Sequence, residues 1–205
     1  MHAFLTTALL QSPSRTPLSH VAEGGRIARI AYVKLLLSLD SVNPDAKDNN
    51  GCGHRWTLLF WAIEKEDEEI VQLLLNNERI DPDSKSSGQY SCNSEQTLLL
   101  RTAVTGQSII VKVLLAKEHF DLTAKDRHGQ TPLFLAIENG HTIIVEQFLA
   151  IEDIDPNTQN KKGETSLLVA AEKGHRAVIR LLLKAEGIKP DYKNSKERIP
   201  LSLAI

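Results

Sequence analysis

The chain has 205 residues, 41% of them hydrophobic and 24% charged, with a formal net charge of -2. This is an ordinary globular composition, with neither the basic excess of a nucleic-acid binder nor an acidic tail. Two cysteines are too few for a disulfide scaffold, no Asn-x-Ser/Thr sequon occurs, and no apolar run approaches the roughly 20 residues needed to span a bilayer.

Residues 1–14 open with MHAFLTTALL, a short apolar run with no Lys or Arg before it. They read as a frayed end, or an N-terminal cap, rather than a signal peptide. A repeat then occupies residues 15–205. Its units open at Thr16, Thr57, Thr97, Thr131, Thr165 and Ile199, with spacings of 41, 40, 34, 34 and 34 residues. A period in this range is the signature of stacked repeats.

Each unit reads as two helices and a connector. The first helix is short: Pro132 suits its first turn, and Gly106, Gly140 and Gly174 stop it. The second is carried by the apolar clusters Val33–Leu37, Val71–Leu75, Val111–Leu115, Val145–Leu149 and Val178–Leu183. Connectors such as VNPDAKDNNG, IDPDSKSSG and IDPNTQNKKG come next, with a Pro that ends the helix and a Gly that permits a tight turn. Three extra residues sit around Gly24-Gly25-Arg26. Four and six more fall in DNNGCGHRW and SKSSGQYSCNSEQ, which read as lengthened loops.

These residues resemble the ankyrin repeat, whose signature is T-P-L-H-x-A-A-x-x-G-H followed by a Val-x-x-Leu-Leu helix. Thr131-Pro132-Leu133, Ala136 and Gly140-His141 match it, as do Thr165, Leu167, Ala170-Ala171 and Gly174-His175. The resemblance covers about Arg15 to Ile205 and implies an all-α solenoid of helix-turn-helix units with loop fingers. Phe60, Leu100, Phe134 and Leu168 replace the signature His of T-P-L-H. Glu66-Asp67 and Gly106-Gln107 replace or alter Gly-His in two units. The Asp-Pro-Asn style of connector is similar to arrays at the C-terminal end of large fungal multidomain proteins, some with a nucleotide-binding signalling domain. ERIPLSLAI stops inside the first helix of a sixth unit, so the chain reads as a fragment of a longer array or a truncated gene model.

Signs of catalysis are lacking. No G-x-S-x-G elbow occurs, and GCGH lacks the Lys-Ser/Thr of a phosphate-binding loop. The acids of EKEDEE, from Glu64 to Glu69, fall at the start of a second helix, where they favour the dipole and can cap it. Cys52, His54 and Cys92 lie in the loops of adjacent units. They offer three zinc ligands without a fourth, a regulatory disulfide, or unremarkable loop thiols, and the last is favoured. His141 and His175 read as structural histidines hydrogen-bonded within their turns.

The resemblance implies that the partner is a protein and that it docks on a concave face lined by loop tips and first helices. No cofactor, no nucleic acid, no membrane and no catalysis are expected, and the chain is expected to be cytoplasmic or nuclear and a monomer or part of a longer one. Carried over unit by unit, the tip positions are Arg55, Trp56, Glu95, Gln96, Arg127, His128, Gln130, Lys161, Lys162 and Glu164. Positions before the helix turn add Glu64, Lys65, Val104, Thr105, Glu138, Asn139, Glu172 and Lys173, and the residue four after each opener gives His20, Trp61, Arg101, Leu135 and Val169. A Trp56–Trp61–Arg101 patch beside Arg55 fits the enrichment of Trp and Arg in binding hot spots. The alternative is that Trp61 packs between repeats and Trp56 covers the long loop. Two further readings stand beside the binding module. One is a sensing or autoinhibitory segment of a larger signalling protein, and the other is a metal-stabilised loop module.

Overall fold

The computed structural model describes residues 26–40, 43–44, 46, 48–49, 54–80, 87–88, 97–117, 120–152 and 154–194. The chain divides into two compact units, Met1–Leu98 and Leu99–Ile205. The expected openers Thr16 and Ile199 lie outside the described residues.

In the N-terminal unit, α1 (Arg26–Ser38) is followed by β1 (Asp48–Asn49) and β2 (His54–Trp56). Then come α2 (Leu58–Glu64), α3 (Glu68–Leu75) and β3 (Ser87–Gly88). At the unit boundary α4 (Leu98–Thr105) begins. It is followed by α5 (Ser108–Leu115), α6 (Pro132–Glu138), α7 (Thr142–Leu149), α8 (Ser166–Glu172) and α9 (Arg176–Leu182). From α2 onward the first and second helices alike run seven or eight residues; Gly106, Gly140 and Gly174 follow α4, α6 and α8, while Glu66 takes that place after α2.

The Thr openers act as N-caps. Thr57, Thr131 and Thr165 hold extended backbone, and each Oγ1 accepts the amide three residues on, from Phe60, Phe134 and Leu168, at 3.2 Å. This satisfies one of the amides that a helix start leaves unpaired. Pro132 sits in the first turn of α6, where its missing N–H costs nothing.

The core is a register repeated along the chain. Ile70, Val71 and Leu74 of α3 are buried, as are Ile110, Val111 and Leu114 of α5 and Ile144, Val145 and Phe148 of α7. Positions i, i+1 and i+4 of a helix share one face, so each second helix turns a single apolar stripe inward. The first helices are buried nearly all round, from Leu58 to Ile63 and from Pro132 to Ile137. In the N-terminal unit α3 packs on α1 and α2. In the C-terminal unit α6 packs on α7 and α8, and α9 on α7 and α8.

The lengthened loops are not wholly irregular. β1, β2 and β3 pair antiparallel in that order, with Asp48 opposite Trp56, Asn49 opposite Arg55, Arg55 opposite Ser87 and His54 opposite Gly88. A small sheet thus corrects the reading of these stretches as loops alone. The polar, Gly-rich composition hid it, because ladder pairing needs only extended backbone groups brought side by side.

Candidate functional site

The frame of the candidate face begins at the turn between the two helices of a repeat. Gly106 and Gly140 adopt φ of +82° and +75°, a left-handed region open to glycine. Space forbids anything larger, since an added Cβ would lie 2.7 Å from the His141 ring at Gly106 and 2.8 Å from the His175 ring at Gly140. Each ring therefore sits on the glycine of the preceding repeat. His141 Nε2 donates to the Val104 carbonyl at 2.9 Å and His175 Nε2 to the Glu138 carbonyl at 3.1 Å, since a carbonyl can only accept. The expectation of a bond within the turn is corrected: these histidines reach back one repeat.

The N-terminal unit closes the same register differently. Glu66 holds a positive φ of 54° without being glycine. Asp67, in the histidine's register, has a side chain only 6% exposed and lies 3.9 Å from the Arg29 guanidinium of α1. Its Oδ1, like Arg29 Nε, is buried without a partner. The sequence places Asp67 with the other acids of EKEDEE as a helix cap, and the structure corrects this. Asp67 occupies the N-cap position of α3 but makes no side-chain cap bond, because its carboxylate turns to Arg29; Glu68 and Glu69 do sit in the first turn.

Trp61 lies on α2 and is 5% exposed, with the Arg29 guanidinium 5.7 Å from its ring centre. The register four residues after the opener is buried more generally, since Leu135 and Val169 are also 5% exposed. Exposed positions on the first helices come instead just before the turn, at Lys65, Asn139 and Lys173. Arg101 is half-buried on α4. Arg55 and Trp56 lie on β2 through their backbone, and their side chains, with Cys52, Cys92, Glu95, Gln96 and His20, lie outside the described residues.

In the C-terminal unit the fingers are built by their own side chains. Asp126 Oδ1 accepts the amides of His128 and Gln130 at 2.8 Å. Asn160 Oδ1 accepts those of Lys162 and Glu164 at 2.9 and 3.0 Å. These are the same turn, 34 positions apart. The Lys161 amide then donates to the His128 carbonyl at 2.8 Å, which sets one fingertip beside the next. Arg127, His128, Lys161 and Lys162 are all exposed there, and Arg127 Nε donates to His128 Nε2 at 2.9 Å.

Below the tips a polar chain crosses from one repeat to the next. Gln130 Nε2 donates to Glu138 Oε2 at 2.6 Å, and Lys173 Nζ pairs with Glu138 Oε1 at 3.3 Å. Asn139 turns its Nδ2 back to the Leu135 carbonyl at 2.8 Å, closing the end of α6. The structure thus brings together Arg127 with His128, the two fingertips, and Glu138 with Lys173. Sequence reasoning singled out these residues but missed the role of Asp126 and Asn160, whose recurrence in one register was the available signal.

Among the described residues no group of three His, Cys, Asp or Glu is placed to hold a metal ion. No helix among them is long and apolar enough to cross a membrane.

The geometry of paired helices, Thr caps, Gly turns and stacked fingers has a counterpart among known families. The ankyrin-repeat family model matches in three copies, over residues 3–86, 85–159 and 143–205. The chain belongs to the ankyrin-repeat family. Ankyrin repeats are generally protein–protein interaction modules and are typically not enzymes.

Proposed function

We propose that the chain is a non-catalytic binding module whose protein partner docks on the concave face, across the fingertips and the exposed ends of the first helices. The observation that carries this reading is the pre-formed finger pair of the C-terminal unit. Its tips are fixed by Asp126, Asn160 and the bond from Lys161 to His128, while Arg127 and Lys161 stay exposed. A surface held rigid before contact loses little conformational entropy on binding, so a modest set of contacts gives usable affinity. Asn139 and Lys173 extend that face down the first helices of the C-terminal unit, and Lys65 holds the equivalent register in the N-terminal one.

The test is affinity capture from native extract with three chains in parallel. These are the wild type, a face variant (Arg127→Ala, Lys161→Ala, Lys173→Ala) and a second-helix variant (Glu146→Ala, Arg180→Ala). A partner held by the wild type and the second-helix variant, and lost by the face variant, is expected. A partner lost only by the second-helix variant overturns the docking face.

A further inference from the structure

We propose that the paired fingertips of the C-terminal unit take an acidic segment of the partner protein, an inference that rests on the protein-binding reading above. Lys125, Arg127 and Lys161 are exposed and form no ion pair with any described residue. Yet the fingers and their connectors are not short of acids. Those acids are committed elsewhere. Asp121 accepts the amide and hydroxyl of Thr123 at 2.9 and 2.7 Å. Asp126 accepts two turn amides, Asp155 accepts the Asn157 amide at 2.9 Å, and Glu164 accepts Asn160 Nδ2 at 2.8 Å.

Each carboxylate therefore serves the turn that shapes its loop, and the neighbouring cations are left to face solvent. The separation is a consequence of loop construction: Asp and Asn are needed at the turn positions because their short side chains reach backbone amides two residues on. The cations between them are not needed by the fold. At the tips Asp126 and Glu164 are half-buried while Lys125, Arg127 and Lys161 are exposed, so the outermost charges there are positive on a chain of net charge -2.

Backbone geometry makes the cations act together. The bond from Lys161 to His128 holds the two tips in contact, and Gly129 lies directly beneath Lys161, where an added Cβ would meet Lys161 Cγ at 3.1 Å. An extended peptide rises about 3.3 Å per residue, so carboxylates on alternate residues of one segment can meet both tips. A peptide is favoured over a nucleic acid because three cations give few phosphate contacts, and the one ring described at the tips, the His128 imidazole, is a small stacking surface already bonded edge-on by Arg127 Nε.

The experiment is fluorescence anisotropy with three labelled probes: an alternating Glu-Ser peptide, an alternating Lys-Ser peptide of equal length, and single-stranded oligo-dT. Each is titrated with the full chain at low and at moderate salt. The Glu-Ser peptide should bind at least about tenfold tighter than the Lys-Ser peptide and weaken as salt screens the charges. Arg127→Glu with Lys161→Glu should weaken it by about tenfold or more, while Lys184→Glu, on an exposed position beyond α9, leaves it unchanged. Both variants are checked for native helicity by circular dichroism.

Equal binding of the two peptides, or a Glu-Ser affinity indifferent to the charge reversal, overturns the proposal. Tighter binding of oligo-dT, lost with the same reversal, also overturns it by assigning the tips to nucleic acid. A protein captured through this face whose binding ignores the charge reversal would remove the acidic partner and leave the binding module standing.

Discussion

In the C-terminal unit one repeat is fastened to the next by an imidazole seated on a glycine; in the N-terminal unit the same register is fastened by an ion pair. Arg29, Asp67, Gln107, His141 and His175 all stand four residues before a Val or Ile of their second helix. His141 and His175 fill the space over Gly106 and Gly140 and donate to a carbonyl one repeat back. Asp67 instead reaches Arg29, comes after a non-glycine residue in a left-handed turn, and leaves a buried carboxylate oxygen without a partner. Each imidazole Nε2–H finds its acceptor in a single backbone carbonyl. A buried carboxylate needs charge compensation and several donors, so its joint is harder to complete. The difference teaches that the stack tolerates different chemistry at a joint so long as the residue reaches backward.

The largest effect that would sharpen this contrast is expected at Gly140. Gly140→Ala should lower stability by about 3 kcal/mol, combining the left-handed backbone with the clash against His175. Gly174 shares the positive φ but has nothing within 4 Å of an added Cβ. Gly174→Ala should therefore cost only about 1 kcal/mol. Urea midpoints that are equal for the two would show that the ring is not seated as described.

Next comes Arg29→Ala, expected to cost about 2 kcal/mol at neutral pH by leaving the Asp67 carboxylate buried alone. Restoration on adding Asp67→Ala in the same chain would identify the stranded charge as the cause, and an unaltered midpoint for the single variant would show the pair to be idle. A smaller loss, about 1 kcal/mol, is expected for Thr165→Ala through the lost N-cap. Thr165→Ser should retain most of it, which thermal melts of the two can distinguish. The smallest change is a gain: Glu66→Gly should raise stability by about 0.5–1 kcal/mol by relieving the left-handed backbone. A loss there would mean that the Glu66 side chain contributes more than its strained backbone costs.

Much of the fold was legible because its determinants are local. The Thr openers lie where the first helices start, Gly106, Gly140 and Gly174 where they stop, and the apolar clusters inside the second helices. What escaped reading depends on residues one repeat apart. That His141 would leave its own turn for the Val104 carbonyl, or that Asp67 would prefer Arg29 to a helix end, is decided by the stack and not by nearby sequence. The exposure of the candidate face was legible only in part for the same reason. A residue four after the opener looks free on an isolated helix, whereas Trp61, Leu135 and Val169 are buried. The lengthened loops signalled irregularity through their Gly and Asn, but backbone pairing of β2 with β3 leaves no side-chain pattern to read.

Most of the fastening contacts share a direction. Arg79 donates to the Leu37 and Leu39 carbonyls at 2.7 and 3.2 Å, closing the end of α1 from beyond α3. Gln147 reaches the Ser108 carbonyl at 3.2 Å, and His141 and His175 reach back in the same way. In each of these the later residue completes the earlier one; Asn157 is the exception, reaching forward to the Gly187 carbonyl and the Lys189 amide. During synthesis at roughly 5–20 residues per second, a repeat would wait a few seconds for its fastener to be made. The most recently emerged repeat is always the loosest part of the nascent chain, and a ribosome that stalls would hold that one repeat open to proteases and chaperones while those before it are already locked.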